Sequence, residues 1–321
     1  MKQRLITGFK PSGDIHLGNY LGAMKHLLEL EEKYESFIFI PDYHALNSVQ
    51  DAEKLSRLSL DAGKAILALG LNPEKTIIFK QSDVPEVCEL SWIFGSLMPM
   101  PILERAHAYK DARDKNKSIN AGVFNYPLLM AADILIYKIN VVPVGKDQKQ
   151  HIEMARIIAQ KFNSKFGKIF IEPQEIIRKE VETIIGLDGR KMSKSYNNVI
   201  GLFESEEQTI KKVMSIKTDS RRPEEPKNPN ECAIFALHKH FSKSGLDEIA
   251  ERYISGKISY KESKEILAEN INKELKQIRE KKKEFDADEN YVQKVLGDGG
   301  KKAREISRET MKKVRKLVGL R

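Results

Sequence analysis

Two apolar periodicities alternate along the first two-thirds of the chain. Short continuous apolar runs appear at residues 4–7 (Arg-Leu-Ile-Thr), 36–40 (Ser-Phe-Ile-Phe-Ile), 76–79 (Thr-Ile-Ile-Phe) and 140–144, each bounded by turn-forming residues. Between them the spacing changes to that of a helix. Leu17, Tyr20, Leu21, Met24, Leu27 and Leu28 predict a helix from about residue 16 towards 34. Leu55, Leu58, Ala62, Ala65, Ile66 and Leu69 predict a second, stopping at Gly70 ahead of Asn72-Pro73. Ile152, Ala155, Ile158, Ala159 and Phe162 form the buried stripe of a third. Strands alternating with helices predict an α/β fold, a parallel sheet covered on both faces. In such sheets ligands gather beyond the carboxyl ends of the strands.

Residues 82–138 read as mainly helical and too long for one crossover. Pro85 suits a helix start, Pro99 and Pro101 a break, and 111–120 a polar loop. A helical insertion is expected over 82–125, its Trp92, Ile93, Phe94, Leu97 and Met98 supplying apolar surface for a subunit interface or for burial. A further helix is expected to start near Tyr126-Pro127. Beyond Phe170-Ile171 the pattern loosens until a helix at about 205–214. A polar break with Pro223, Pro226 and Pro229 follows, and only helical spacing after Glu231. The expected organisation is a sheet domain over 1–203 and a smaller all-helical domain over 204–321.

Composition narrows the class. With 321 residues, 40% hydrophobic and 31% charged, the chain has the make-up of a soluble protein with a sizeable core. No apolar run approaches the ~20 residues that cross a bilayer, and Thr7-Gly8 interrupts any leader-like core, so a cytoplasmic location and no membrane partner are expected. Cys88 and Cys232 suggest neither a disulfide framework nor a metal site. Net charge is +9, and residues 301–321 hold nine Lys/Arg against Glu305 and Glu309, hence +7. That tail fits a phosphate-contacting helix, which counterion release would favour, and equally a solvated helix face.

Three places carry candidate chemistry. Gly8, Pro11, Ser12 and Gly13 form a small-residue turn after the first strand, with His16, Gly18 and Asn19 on the first helical turn after it. Free N–H groups at a helix start attract phosphate, and glycine lets it come close. Far downstream, residues 188–197 form a Gly-, Lys- and Ser-rich loop containing Lys191-Met192-Ser193-Lys194-Ser195. Two ammonium groups on flexible stems suit phosphoryl transfer, where catalysis is positioning plus charge stabilisation. Finally, Tyr126, Met130, Asp133 and Tyr137 share one helix face. A carboxylate on an apolar face needs a partner, and either an ion pair with a Lys or Arg or a bound ligand meets that need.

His-Leu-Gly-Asn at 16–19 paired with Lys-Met-Ser-Lys-Ser at 191–195 resembles the two signature motifs of class I aminoacyl-tRNA synthetases. The whole length is similar to the bacterial tryptophanyl family. Matching stretches include Pro-Ser-Gly at 11–13, Asp42 with His44-Ala45, Tyr126-Pro127 with Met130-Ala131-Ala132-Asp133-Ile134-Leu135, and Val142-Pro143-Val144-Gly145 with Asp147-Gln148-Lys149-Gln150-His151. The resemblance implies a homodimer with a Rossmann catalytic domain and a helical anticodon-binding domain. It implies that L-tryptophan is activated with ATP, Mg2+ being carried on the ATP and no metal held by protein groups, and is then passed to tRNA(Trp). It implies that His16, Asn19, Lys191 and Lys194 are catalytic. ATP would be held by Lys10, Pro11, Ser12, Gly18, Asn19, Gly145, Lys146, Asp147, Ile184, Lys191, Met192, Ser193, Lys194 and Ser195. Tryptophan would be held by Gly8, His44, Tyr126, Met130, Val142, Val144 and Gln148, with Asp133 accepting from the indole N–H. Lys10 and Lys146 depart from the glutamine and glutamate common at those places, and both add positive charge.

Three other functions stand beside this one. A tyrosyl enzyme of the same class also has an aspartate-bearing helix, and the run at 147–151 speaks against it. A non-catalytic tRNA-binding paralogue is opposed by the intact His16, Asp133, Lys191 and Lys194. A small-molecule adenylyltransferase is disfavoured by the helical C-terminal part and its basic tail.

Overall fold

The structure, a computed structural model, describes residues 2–11, 13, 15–106, 109–110, 113, 119–145, 149–177 and 184–320. In chain order the elements are β1 (Arg4–Gly8), α1 (Leu17–Asn19), a π turn (Tyr20–Met24), α2 (Lys25–Glu31), β2 (Glu35–Ile40), α3 (Asp42–Ala45), α4 (Ala52–Ala68) and β3 (Thr76–Lys80). There follow α5 (Glu86–Gly95), α6 (Met100–Leu103), α7 (Ala121–Leu135), β4 (Val141–Val144), α8 (Lys149–Phe166), β5 (Gln174–Ile177) and α9 (Glu206–Met214). The chain ends in α10 (Ala233–Phe241), α11 (Leu246–Ile254), α12 (Tyr260–Ala287) and α13 (Glu289–Val318).

The five strands form one sheet in the order β3-β2-β1-β4-β5, every pair parallel. Strand order reverses between β1 and β4, which opens a crevice at their carboxyl ends. Gly8, Pro41, Gln81 and Gly145 stand at or just past the ends of four strands and define its rim. Apolar side chains of the sheet feed a core on each face. One joins Ile6, Phe37, Phe39 and Phe79 to α5, α7 and α8, and the other joins Ile38, Ile40 and Ile78 to α4 and α12.

Two expectations are corrected. The helix expected from Tyr126-Pro127 starts five residues earlier, at Ala121, because the Asn120 side chain accepts from the Val123 N–H and caps it. Pro127 then lies inside the helix, giving up one main-chain hydrogen bond rather than starting the element. β5 has no counterpart in the expected strands. It is four residues long and registers Val141 to Val144 against Gln174 to Ile177 on an edge of the sheet. The first helix is also not uniform, since Tyr20–Met24 takes π geometry between α1 and α2, a widening often found at functional sites.

The C-terminal helix closes the other edge of the sheet. Val292 and Leu296 of α13 belong to one core and Ala303, Met311 and Val314 to the other, so the helix passes across β3 from face to face. Gly299 makes that crossing possible: a Cβ there would sit 1.9 Å from the Ile78 carbonyl oxygen. A helix laid over an edge strand removes a template for unwanted pairing. Arg304 Nε donates to Glu86 Oε1 at 2.9 Å, Arg308 Nε to the same oxygen at 3.2 Å, and Arg315 Nε to Glu89 Oε1 at 2.7 Å. Burial raises the Glu86 pKa, but the bonds from Arg304 and Arg308 outweigh it and hold the carboxyl below its usual range. Part of the basic tail is therefore tied to α5, whereas Lys302, Lys312, Lys313 and Lys316 are exposed.

His238 of α10 is fully buried, with Ser242 Oγ 2.6 Å from Nδ1 and the Ser263 carbonyl oxygen 3.1 Å from Nε2. Burial pushes its pKa down from 6.5 to about 4. Between those values the unfolded chain binds a proton that the fold refuses, so stability is complete above pH 6.5 and falls as pH falls towards 4. At about 1.4 kcal/mol per unit the loss is on the order of 3 kcal/mol. Thermal melts between pH 7 and 4 should show this slope, and His238→Gln should flatten it; equal slopes would remove His238 as the cause.

Candidate functional site

The rim of the crevice is built from two clusters, one on each side of β1. On the first side, the chain leaving β1 turns through Pro11 and Gly13 and enters α1 at His16. His16 N–H donates to Asn19 Oδ1 at 3.2 Å, which satisfies one of the donors a helix start leaves over. The same turn is held from outside by residues just past the lysine loop. Leu17 N–H donates to the Ile200 carbonyl at 2.9 Å and Leu202 N–H to the Ile15 carbonyl at 2.7 Å, with His16 and Gly201 forming an antiparallel bridge. Gly18 N–H points to Met192 Sδ at 3.3 Å. Gly18 has no space for a side chain, since a Cβ would lie 2.9 Å from the His16 ring.

The lysine loop is a hairpin followed by a short 3-10 turn. Ile185 and Lys191 form an antiparallel bridge, Gly186 N–H donates to the Arg190 carbonyl at 2.8 Å and Met192 N–H to the Ile184 carbonyl at 2.8 Å. Met192 and Ile184 are buried, whereas Lys191, Lys194 and Ser195 face solvent and Ser193 is half-buried. The loop thus anchors on its apolar residue and presents its cations. Lys194 lies near enough to His16 to act on it: burial first, then the Lys194 charge, lowers the imidazole pKa from 6.5. His16 Nδ1 is buried and, among the described residues, has no hydrogen-bond partner. A neutral imidazole, a helix start and the Lys194 ammonium stand together, with Lys191 exposed on the same hairpin, an arrangement suited to a polyphosphate.

The second cluster surrounds Asp133 of α7, which is 2% exposed. His44 Nε2 lies 3.0 Å from Asp133 Oδ2, and Gln81 Nε2 donates to both carboxylate oxygens at 2.9 Å. Gln81 Oε1 accepts in turn from the His44 main-chain N–H at 3.4 Å, closing a triangle. Burial raises the Asp133 pKa, and the His44 and Gln81 bonds oppose it only in part. The Tyr126 ring sits 4.5 Å from His44 and 5.7 Å from His151, so an aromatic wall adjoins the acid. The protein partner is thus not the expected Lys or Arg: a histidine and an amide hold the carboxylate in place. His44 Nδ1 is buried and unpartnered among the described residues, so the cluster retains an unused polar atom.

The remaining candidates are distributed as follows. Gly8 ends β1, Val142 and Val144 lie on β4 and Gly145 follows it, which places them along the switch-point crevice. Met130 is half-buried on α7, one turn before Asp133. Pro11 is buried and Lys10 exposed. Ser12, Lys146, Asp147 and Gln148 lie outside the described residues. Two residues of this region escaped the sequence reading. Gln81 could have been found from its place directly after a strand, where Gly8 and Pro41 also stand. Asn198, buried behind the lysine loop, had no such signal.

A parallel five-stranded sheet with nucleotide-type loops at its switch point and a mid-chain lysine hairpin defines a class I synthetase core. The model of the tRNA synthetases class I (W and Y) matches residues 1–276. Tryptophan--tRNA ligase of Campylobacter jejuni (strain RM1221) is 46% identical over 318 residues, covering 99% of this chain and 100% of its own length. The enzyme of the same name from Fusobacterium nucleatum subsp. nucleatum is 45% identical over 321 residues, with 99% and 98% covered. The crystal structure of the Campylobacter jejuni tryptophanyl-tRNA synthetase complexed with ADP and tryptophan superposes with a TM-score of 0.94, at 46% identity, over 99% of this chain and all of that one. The chain belongs to the class I tRNA synthetases of the tryptophan and tyrosine family. Within that family it falls among the bacterial tryptophanyl-tRNA synthetases.

Proposed function

We propose that this aminoacyl-tRNA synthetase carries out tryptophan–tRNA ligation with the two clusters in separate roles. Tryptophan would lie in the crevice between β1 and β4 with its indole N–H directed at Asp133, and ATP beside it against the His16 turn. The amino-acid carboxylate attacks the α-phosphorus, forming tryptophanyl-AMP as the bond to pyrophosphate breaks. Lys191 and Lys194, with His16 and Asn19, stabilise the charge that grows on the phosphoryl oxygens. Magnesium arrives with ATP. Among the described residues no group of three His, Cys, Asp or Glu is arranged to hold a metal ion. The tryptophanyl group then passes to the terminal adenosine of tRNA(Trp).

The observation that carries this reading is the contact of Gly18 with Met192, 174 residues later, which joins the phosphate-type turn to the lysine loop. Amino-acid-dependent exchange of pyrophosphate into ATP tests it. Tryptophan is expected to stimulate exchange at least 100-fold over phenylalanine, because phenylalanine leaves the buried carboxylate with an unmet acceptor site (about 3 kcal/mol, hence on the order of 100-fold). Stimulation by tyrosine instead would move the chain to the tyrosyl branch, and tRNA binding without exchange would make it an idle paralogue.

The finer organisation belongs to the same proposal. Residues 1–203 form the catalytic domain and 204–321 the anticodon-binding domain, although α13 also packs on the sheet. The partner at α5 is a second copy of the chain, which would account for Trp92 standing 80% exposed. Trp92 borders a cavity of about 570 Å³ that also includes Tyr43, Leu46, Leu128 and Leu129, and whose floor reaches His44. Exposed apolar surface of that kind marks an association site. The proposed location is the cytoplasm, and among the described residues no helix is long and apolar enough to cross a membrane.

A further inference from the structure

The lysine hairpin has little regular structure of its own, yet its two cations must reach moving phosphates reproducibly. Its fixed point is Asn198, which is 2% exposed although it follows three exposed residues, Ser195, Tyr196 and Asn197. The side-chain amide is fully used. Oδ1 accepts from the Ser193 N–H at 2.8 Å, and Nδ2 donates to Asp188 Oδ1 at 2.7 Å and to the Lys191 carbonyl at 3.1 Å. Its main-chain carbonyl accepts from the Leu187 N–H at 3.0 Å. The Asn198 side chain therefore ties Asp188 on the incoming arm of the hairpin, the residue carrying the first cation (Lys191) and the residue preceding the second (Ser193), and its main chain adds Leu187. Gly186 is packed against it so closely that a Cβ would lie 2.5 Å from the amide.

Asp188 is itself fixed. Arg190 Nε donates to Asp188 Oδ2 at 2.7 Å, while the Arg190 guanidinium lies 4.3 Å from the Tyr196 ring centre, across the mouth of the loop. The Asn198 amide first, then Arg190, holds the Asp188 carboxyl at about 2, so it stays an acceptor throughout the working pH range. The amide can therefore rely on an ionised partner. An aspartate at 198 would meet that carboxylate and the Lys191 carbonyl with oxygen instead of N–H.

We propose that Asn198 is a positioning residue for adenylate formation: it sets the placement of Lys191 and Lys194 by joining both arms of their loop, without touching substrate. The inference rests on the ligation reading above, and it adds a residue that is neither a lysine of the signature nor part of the amino-acid cluster. Displacing catalytic groups by about 1 Å costs on the order of 100-fold in rate. The described residues assigned to tryptophan stand on other elements, β1, α3, α7 and β4, which the substitution does not touch.

The test is pyrophosphate exchange with Mg·ATP, tryptophan and labelled pyrophosphate on the full-length protein, read as kcat and KM separately. Asn198→Ala is expected to lower kcat at least tenfold with the KM for tryptophan within twofold. Asn198→Asp is expected to lose at least as much. The exchanged pair Asp188→Asn with Asn198→Asp restores a donor facing an acceptor and is expected to recover at least fivefold over Asn198→Asp alone. A smaller loss in Asn198→Ala, a matching rise in the KM for tryptophan, or no recovery in the exchanged pair would overturn the proposal. If Asn198→Ala melts before assay, the exchanged pair against Asn198→Asp decides the matter. No exchange by the unaltered protein would instead overturn the ligation reading itself.

Discussion

Lys194→Ala is expected to lower tryptophan-dependent pyrophosphate exchange by about 100- to 1,000-fold, the range for removing one preorganised group that meets developing charge. The loss should fall on kcat, because an exposed lysine on a loop gains most from the phosphates in the transition state. Lys191→Ala is expected to behave alike, and the double variant to lose less than the product of the two, since both cations sit on one hairpin and serve one group. The same substitution has a second readout that does not depend on turnover. Lys194 is one of two causes depressing the His16 pKa, so removing it leaves only burial and the imidazole should titrate at higher pH. Proton NMR of the His16 ring in the unaltered protein and the variant measures this. An unchanged titration would mean that the loop stands away from the helix start in solution, and an exchange rate within fivefold of the unaltered protein would remove Lys194 from catalysis.

How far the sequence could lead is clearest from where it stopped. Local pattern sufficed for β1 to β4, which are short continuous apolar runs, and for α4 and α8, each of which buries a face at helical period. It did not reveal β5, since four residues opened by exposed Gln174 present no alternation and gain their order only from pairing with β4. Pro127 misled for the opposite reason: a strong local signal for a helix start yielded to an Asn120 cap and to burial along α7. The charge of the tail was legible, but not its destination. Arg304 reaches Glu86 across 218 positions of sequence, and nothing near either residue encodes the other.

The chemical motifs divide in the same way. His16, Gly18, Lys191 and Lys194 were visible because a phosphate-type turn and a lysine loop have recognisable compositions. Asn198 was not, since a single amide acquires meaning only from what the fold places around it, and Gln81 was marked only by its place after a strand. Asp133 lies between these cases. Its apolar helix face announced that it needed a partner, while the identity of that partner, His44 with Gln81, depended on how the ends of β2 and β3 meet α7.

Asp133→Asn is expected to reduce kcat/KM for tryptophan by about 100-fold or more, while the KM for ATP stays within threefold. The replacement keeps shape and volume but exchanges one acceptor for an amide donor. Whichever way that amide turns, its donor replaces an oxygen that accepts from Gln81 Nε2, and an unmet buried group costs about 1–3 kcal/mol. Selectivity should collapse with it, because phenylalanine no longer forfeits a hydrogen bond that tryptophan makes. Stability carries two opposing contributions. Burial raises the Asp133 pKa, so the fold binds the proton more readily than the unfolded chain does, and the ionised group detracts from stability at neutral pH. That deficit shrinks as pH falls through the raised pKa, whereas asparagine, which sets a donor against Gln81 Nε2 at every pH, has no such dependence. The variant's melting temperature relative to the unaltered protein is therefore expected to fall as pH falls. Tryptophan activation within threefold of the unaltered enzyme would mean that the carboxylate serves only His44 and Gln81. A difference in melting temperature that does not change with pH would mean that burial does not raise the Asp133 carboxyl pKa.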